Sequence, residues 1–538
     1  MTKGNGDDSR ESAFRASRRE WLTRAGLLVS STALPFGMRE SVAQSESALN
    51  ALPRIGLVIG NTKYVEAPLR NPANDARAIG TELQRLGFQV NAQLDAGRKE
   101  MIEAIRAFGN DLAKRKSVGL FYYAGHAAQL AWHNYLVPVD AVIERLEDMQ
   151  SKTVELTILL DALVKAKNPM NVVILDACRD NPFGTKLPVQ QKGLSQFDAP
   201  PGSLLAYATS PGNVASDGSG ENGLYTENLV RELKTPDAKI EDVFKRVRLN
   251  VRRKSEGQQI PWESTSLEED FYFQPPKQIR KLSEQELERQ FNAELAVWEK
   301  IKDSKEPGPI EDYLRKNPSG RYAELAQFHL DRVLARLGEK KIEVINAAQN
   351  PFTKGTGHID THFKIGDSYS YREIDSFTKI ETRKFTNRIT DITDNEVIFN
   401  NGVLITDLFG NLIKNARGRY TEAQFFIPEY TVGKKWTTRF KFMPEKGGVS
   451  ETEYEFRVKA RESITVPAGT FDVYKVEGNG WGTGTGERGG SLRLQSIYWI
   501  SPGVRRPVAN ENVRIFVFGA RSKMLVNERQ ELIEYAQR

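Results

Sequence analysis

Two apolar runs of strand length, Ser117 to Tyr123 and Asn171 to Leu175, constrain the fold more than any other feature of this chain. Neither alternates apolar with polar residues, so both faces of each strand must be covered, as in the interior of a parallel sheet. Arg54 to Gly60 has the same character and ends in a Gly-Asn turn. Segments of helical period lie between the runs. Ala73 to Leu86 carries Ala76, Ile79, Leu83 and Leu86 on one face, and Lys99 to Arg115 carries Met101, Ile105, Phe108 and Leu112. Phe88 to Leu94 is a short strand and Ser203 to Thr209 a weaker one. Strands alternating with helices predict an α/β fold with a doubly wound, mainly parallel sheet, in which functional groups gather at the carboxyl ends of strands.

Two residues with useful chemistry fall at such ends. The chain has one cysteine in 538 residues, Cys178, closing the second run, and His126 closes the first, 52 residues upstream. A thiolate attacks, and an imidazole beside it lowers the thiol pKa and later protonates a leaving amine. The competing reading of Cys178 is a small buried hydrophobe. A thiol oxidoreductase is excluded, because no second cysteine exists to resolve a mixed disulfide.

Several blocks between Pro53 and Phe273 occur in an order that resembles a known family: Gly60-Asn61-Thr62-Lys63-Tyr64, Asn71-Pro72-Ala73-Asn74-Asp75-Ala76, Phe121-Tyr122-Tyr123-Ala124-Gly125-His126, Asn134-Tyr135-Leu136-Val137-Pro138-Val139-Asp140 and Asp176-Ala177-Cys178-Arg179-Asp180. The family is the bacterial caspase-like cysteine peptidases related to metacaspases. The resemblance implies a caspase-haemoglobinase-like fold and a His126 and Cys178 dyad, with His126 as base and acid and Cys178 as nucleophile. It also implies an oxyanion hole from the backbone N–H groups of Cys178 and Ala127, where the family usually has glycine after the histidine. If the backbone at 127 has positive φ, alanine there costs about 1 kcal/mol. Asp75 and Asp176 stand where the resemblance implies an acidic S1 pocket, so the expected substrate is a polypeptide cleaved after Arg or Lys. N-capping of the helix that follows is the competing role for Asp75. The second functional reading is a catalytically impaired caspase-like fold used as a binding or scaffold module.

No cofactor or metal is assigned. Asp140, Asp217 and Glu221 could serve a calcium ion of the kind some metacaspases use, but they lack the spacing of a calcium loop. Asn181 to Gly202 is expected to be a loop beside the cleft, with Lys186 and Lys192 as candidate self-cleavage sites.

Residues 1–45 differ from the rest. Arg18 and Arg19 precede a modestly apolar stretch from Ala25 to Met38 and a small-residue ending at Ser41-Val42-Ala43, which resembles a bacterial twin-arginine export signal. The expected location is periplasmic or exported. No later segment has the roughly 18 apolar residues of a spanning helix. With Lys and Arg scattered among Asp and Glu and a net charge of +6, nucleic acid is not an expected partner.

Four divisions follow: the signal at 1–45, a catalytic domain at 52–275, a helical hairpin or connector at 280–340, and an antiparallel all-β domain at 350–538. The connector shows helical period without strands and breaks at Pro307-Gly308-Pro309 and Pro318-Ser319-Gly320. Beyond Gly355 the period becomes two, with Asn400-Asn401-Gly402 as a hairpin signal, predicting a sandwich or half barrel that contacts an envelope partner. His358 and His362 lack the context of a zinc pair, and the alternating glycines 478 to 486 suit a flexible hairpin better than a phosphate loop.

Overall fold

The computed structural model describes residues 48–178, 193–210, 220–276, 283–339, 350–484, 490–518 and 521–538. The export signal, Lys186, Lys192 and Asp217 lie outside them.

The first domain is built on an eight-stranded sheet. Its strands are β1 (Arg54–Gly60), β2 (Phe88–Leu94), β3 (Val118–Leu130), β4 (His133–Leu136), β5 (Val154–Glu155), β6 (Met170–Cys178), β7 (Ser203–Tyr207) and β8 (Trp262–Thr265). The order is β2-β1-β3-β6-β7-β8, parallel from β2 to β7, with β8 antiparallel at the edge and β4 and β5 extending from the far half of β3. The helices are α1 (Pro72–Arg85), α2 (Arg98–Arg115), α3 (Asp148–Lys152), α4 (Leu156–Ala166), α5 (Leu224–Leu233) and α6 (Ile240–Lys254).

The continuous apolar runs have the predicted cause. Leu120, Tyr122, Val172 and Ile174 pack on one face with α1, α5 and α6, while Phe121, Tyr123, Val173 and Leu175 pack on the other with α2 and α4. Each such side chain contributes about 1.5 to 3 kcal/mol by leaving water. Positions 172 and 174 share a face, so period-two alternation assigns 176 to it as well.

Three helices follow, one more than a hairpin: α7 (Glu284–Ile301), α8 (Pro307–Lys316) and α9 (Ala323–Arg336). Pro307 is the first residue of α8, a position that needs no N–H donor, so the proline starts a helix where a break was expected. A capping box at Ser283 and Glu286 starts α7. Trp298, Tyr313, Tyr322 and Leu330 form the core of this unit together with Leu249 of α6.

The C-terminal domain is a closed barrel, neither sandwich nor half barrel. Two short strands, β9 (Gly357–His358) and β16 (Glu429–Tyr430), pair outside it. The barrel's twelve strands are β10 (Ser368–Asp375), β11 (Glu381–Ile392), β12 (Glu396–Phe399), β13 (Leu404–Asp407), β14 (Leu412–Asn415), β15 (Gly418–Tyr420), β17 (Lys435–Pro444), β18 (Ser450–Val466), β19 (Gly469–Gly484), β20 (Gly490–Ile500), β21 (Pro507–Phe518) and β22 (Arg521–Ala536). Each pairs antiparallel with the next, and β22 returns to β10 through Tyr369 opposite Tyr535. Closure removes the unpaired edges that an open sheet would leave.

Glycines 478, 480, 482 and 484 belong to β19, and Gly486 lies outside the described residues. A Cβ at Gly478 would lie 2.2 Å from the Phe456 ring and one at Gly480 2.8 Å from the Tyr454 ring, so inward glycines make room for the aromatic residues of β18. The two histidines have separate partners: His358 faces Glu429 at 3.8 Å and the exposed His362 bonds Asp360 at 2.7 Å.

Candidate active site

β3 and β6 run side by side in register, Ala124 opposite Asp176 and His126 opposite Cys178. Neighbouring strands lie about 4.8 Å apart. The two residues that carry the proposed chemistry are therefore first neighbours across one parallel ladder, at the point where β6 ends.

His126 is 6% exposed. Its Nε2 lies 2.7 Å from the carbonyl oxygen of Ala67. A carbonyl can only accept, so Nε2 carries the proton of the neutral ring and Nδ1 keeps the lone pair. Ala67 holds φ +51, in the left-handed region, although it precedes Pro68, a placement that favours extended backbone. Such strain costs about 1 kcal/mol or more, and here it aims a carbonyl at an imidazole.

Two tyrosines hold the histidine backbone. Tyr64 Oη accepts the His126 N–H at 2.8 Å, and the two rings lie with centroids 4.4 Å apart. Tyr123 Oη donates to the His126 carbonyl at 2.6 Å. Gly125 between them has φ +151, and a Cβ there would come within 2.4 Å of Tyr64 Oη and 2.8 Å of Tyr123 Oη. Glycine at 125 is thus required twice, for the backbone angle and for the space.

Ala127 is an ordinary strand residue, 2% exposed, and is not among the positive-φ residues. The strain considered for it falls instead on Gly125. His126 turns its N–H to Tyr64 and its C=O to the Val137 N–H, on the side of β3 where β4 pairs. By strand alternation the Ala127 N–H turns to the opposite side, toward the end of β6.

The two candidate S1 carboxylates sit behind and beside this edge. Asp75 is 3% exposed, in α1, and its Oδ1 accepts from Asn222 Nδ2 and the Gly223 N–H, both at 2.9 Å. Gly223 is the N-cap residue of α5, so Asp75 holds the start of a different helix and not of its own. At α1 the Ala73 N–H is taken by Thr62 Oγ1 at 2.9 Å, so self-capping is not its role. Asp176 is half-buried, and its Oδ2 accepts from Thr226 Oγ1 at 2.6 Å and Tyr122 Oη at 3.2 Å. Tyr122 is held well above the usual phenol range, by burial first and then by the charges of Asp176 and Asp75. Both carboxylates are therefore close to one hydroxyl, on the α1 and α5 face of the sheet.

Asp140 Oδ1 accepts the Arg98 N–H at 2.9 Å at the start of α2, and Glu221 is exposed. Among the described residues no group of three or more His, Cys, Asp or Glu is placed to hold a metal ion.

Sequence reasoning missed Ala67, because a backbone carbonyl leaves no mark in a side chain. It quoted Tyr64, Tyr122 and Tyr123 within motifs without assigning them a part. Thr226 carries no motif and reaches Asp176 only through the fold.

Residues 53–272, less than half of the chain, match the family model described as the caspase domain. Among curated proteins, the chain is similar to the mucosa-associated lymphoid tissue lymphoma translocation protein 1 homolog of Mus musculus, 30% identical over 171 residues, which are 31% of this chain and 19% of that protein. It is similar to the Homo sapiens protein of that name, 28% identical over 186 residues, 34% of this chain and 21% of the relative. The chain thus matches about a fifth of the length of these relatives. Both comparisons support a caspase-clan domain within the chain, and the family model ends before the three-helix unit and the barrel begin.

Proposed function

We propose that this chain is a cysteine endopeptidase of the caspase clan that cleaves after Arg or Lys. The observation that carries the reading is the register of β3 and β6, with His126 directly opposite Cys178. The tautomer supports it, because Ala67 takes the Nε2 proton and leaves Nδ1 as the base. In the proposed reaction His126 Nδ1 removes the Cys178 thiol proton, and the thiolate adds to the scissile carbonyl. The N–H groups of Cys178 and Ala127 stabilise the oxyanion, and the imidazolium then protonates the leaving amine. Water, deprotonated by the same imidazole, hydrolyses the thioacyl enzyme and regenerates the thiol.

In S1, Asp176 is the carboxylate with the exposure to meet a cationic side chain, and Asp75 adds its charge from behind while fixing α5. The N-terminal 45 residues act as a twin-arginine signal that exports the chain in a bacterium to the periplasm. Replacing Arg18 and Arg19 by Lys and fractionating cells tests that part: the uncleaved precursor should then stay in the cytoplasm.

The enzymatic reading is tested with fluorogenic peptides ending in Arg, Lys or Asp, using the wild-type chain and Cys178→Ala. Hydrolysis of the basic peptides, lost in the variant by about 10³-fold or more, is the expected result. Absence of turnover with and without calcium would instead identify a binding or scaffold module.

A further inference from the structure

Strands β17 and β18 turn charged residues outward and aromatic residues inward. Lys435, Glu453, Glu455 and Lys459 are exposed, while Phe440, Phe442 and Tyr454 on the intervening positions of β17 and β18 line the interior. That interior holds a cavity of about 470 Å³, within the range of about 300 to 1,000 Å³ found for ligand pockets. Twelve strands make a barrel too wide for side chains alone to fill, as small barrels of about eight strands are.

The lining has two chemistries. Tyr420, Phe425, Phe440, Phe442, Tyr454 and Tyr498 form an aromatic wall. Arg417 and Arg514 line the same cavity from its solvent-exposed side, and among the described residues neither guanidinium enters an ion pair. Arg514 stands on β21 opposite Leu494 of β20, itself a lining residue. The charges of both arginines reach the Tyr420 hydroxyl. Glu528 is the lining carboxylate; burial and Glu373 raise its pKa on balance, against the charges of Arg514, Arg383 and Arg417, which lower it.

An aromatic wall beside two exposed arginines that share a single lining carboxylate, Glu528, carries one net positive charge and suits a ligand with an apolar body and an anionic head. We propose that the barrel binds an anionic amphiphile, its acyl chain along the aromatic wall and its carboxylate or phosphate between Arg417 and Arg514. Nothing in the catalytic domain contributes to this site, so the proposal stands independently of the peptidase reading.

The test uses the full chain and 11-(dansylamino)undecanoic acid, whose fluorescence rises on entering an apolar cavity, with dodecanoate and dodecanol as competitors. Saturable binding is expected, displaced at least ten times more effectively by dodecanoate than by dodecanol. In Arg417→Ala/Arg514→Ala that preference should vanish while dodecanol competes as before. Leu494→Trp fills the cavity and should abolish binding with the near-ultraviolet circular dichroism of the barrel retained. The idea is overturned by absence of saturable binding to wild type, by an arginine variant that keeps its preference for the acid, or by a folded Leu494→Trp chain that binds as before. Flotation with phosphatidylglycerol vesicles separates the sources, since co-flotation assigns the head group to a membrane lipid and binding of dodecanoate alone assigns it to a free acid.

Discussion

His126 shows how much of a catalytic residue lies outside its own side chain. Its ring is fixed by a carbonyl of Ala67, its N–H by Tyr64 and its C=O by Tyr123. Tyr64→Phe removes a buried acceptor, which costs about 1 to 3 kcal/mol of stability. Because it also loosens the imidazole, kcat on a basic peptide should fall with KM little changed, as steady-state kinetics would show. Asp176→Asn keeps the acceptor for Thr226 and Tyr122 but removes the charge. With a charged hydrogen bond worth about 1.5 to 3 kcal/mol, kcat/KM for Arg and Lys peptides should drop about 10- to 150-fold relative to a norleucine peptide. An equal loss on both substrates would place the S1 charge elsewhere.

At the scale of elements, β19 depends on its glycines. A methyl group at Gly478 meets the Phe456 ring at 2.2 Å, whereas at Gly482 the nearest atom is Thr452 Oγ1 at 3.2 Å. Overpacking a core costs about 1 to 3 kcal/mol. Gly478→Ala should therefore lower the thermal midpoint measurably and Gly482→Ala much less, a contrast that calorimetry can measure. Equal midpoints would mean that the rings of β18 reposition at no cost. The strand run itself was only partly legible. The charged outward residues of β11, β17 and β22 diluted the apolar signal, while Tyr454 to Val458 stood out because its inward positions are large and apolar.

At the scale of the whole molecule, residues 45–538 form one compact unit, and the three-helix unit contacts both of its larger neighbours. Arg252 of α6 pairs with Asp331 at 2.5 Å and Glu339 at 2.6 Å, and Phe328 of α9 packs edge-on to Phe409 of the barrel domain. The segment entering the barrel is bound as well, with Phe352 stacked on Phe197 at 4.3 Å and Asn350 bonded to Gln196. Glu422 joins α7 to the barrel domain through Trp298 and Lys302, and burial pushes its pKa up to about 7 despite the lysine. The folded state therefore binds this proton more tightly than the unfolded chain. Its contribution to stability is complete below about pH 4.5 and is lost as pH rises through about 7, on the order of 3 kcal/mol. Urea unfolding at pH 5 and pH 8 should show a smaller pH difference for Glu422→Gln than for wild type. Parallel pH dependences would assign the effect to other groups, such as Asp407, which burial raises to about 6.

The sequence by itself determined the parallel sheet, because continuous apolar runs have no stable place except between two covered faces. It also placed Cys178 at a strand end, whereas β3 runs on past His126 to Leu130, because its last residues leave the parallel ladder and pair with β4. Only the tertiary structure decided that the two strands are neighbours in register, that Asp75 serves α5, and that the period-two region closes into a barrel with a cavity. Those outcomes depend on which distant segments meet, and local periodicity carries no information about partners far along the chain.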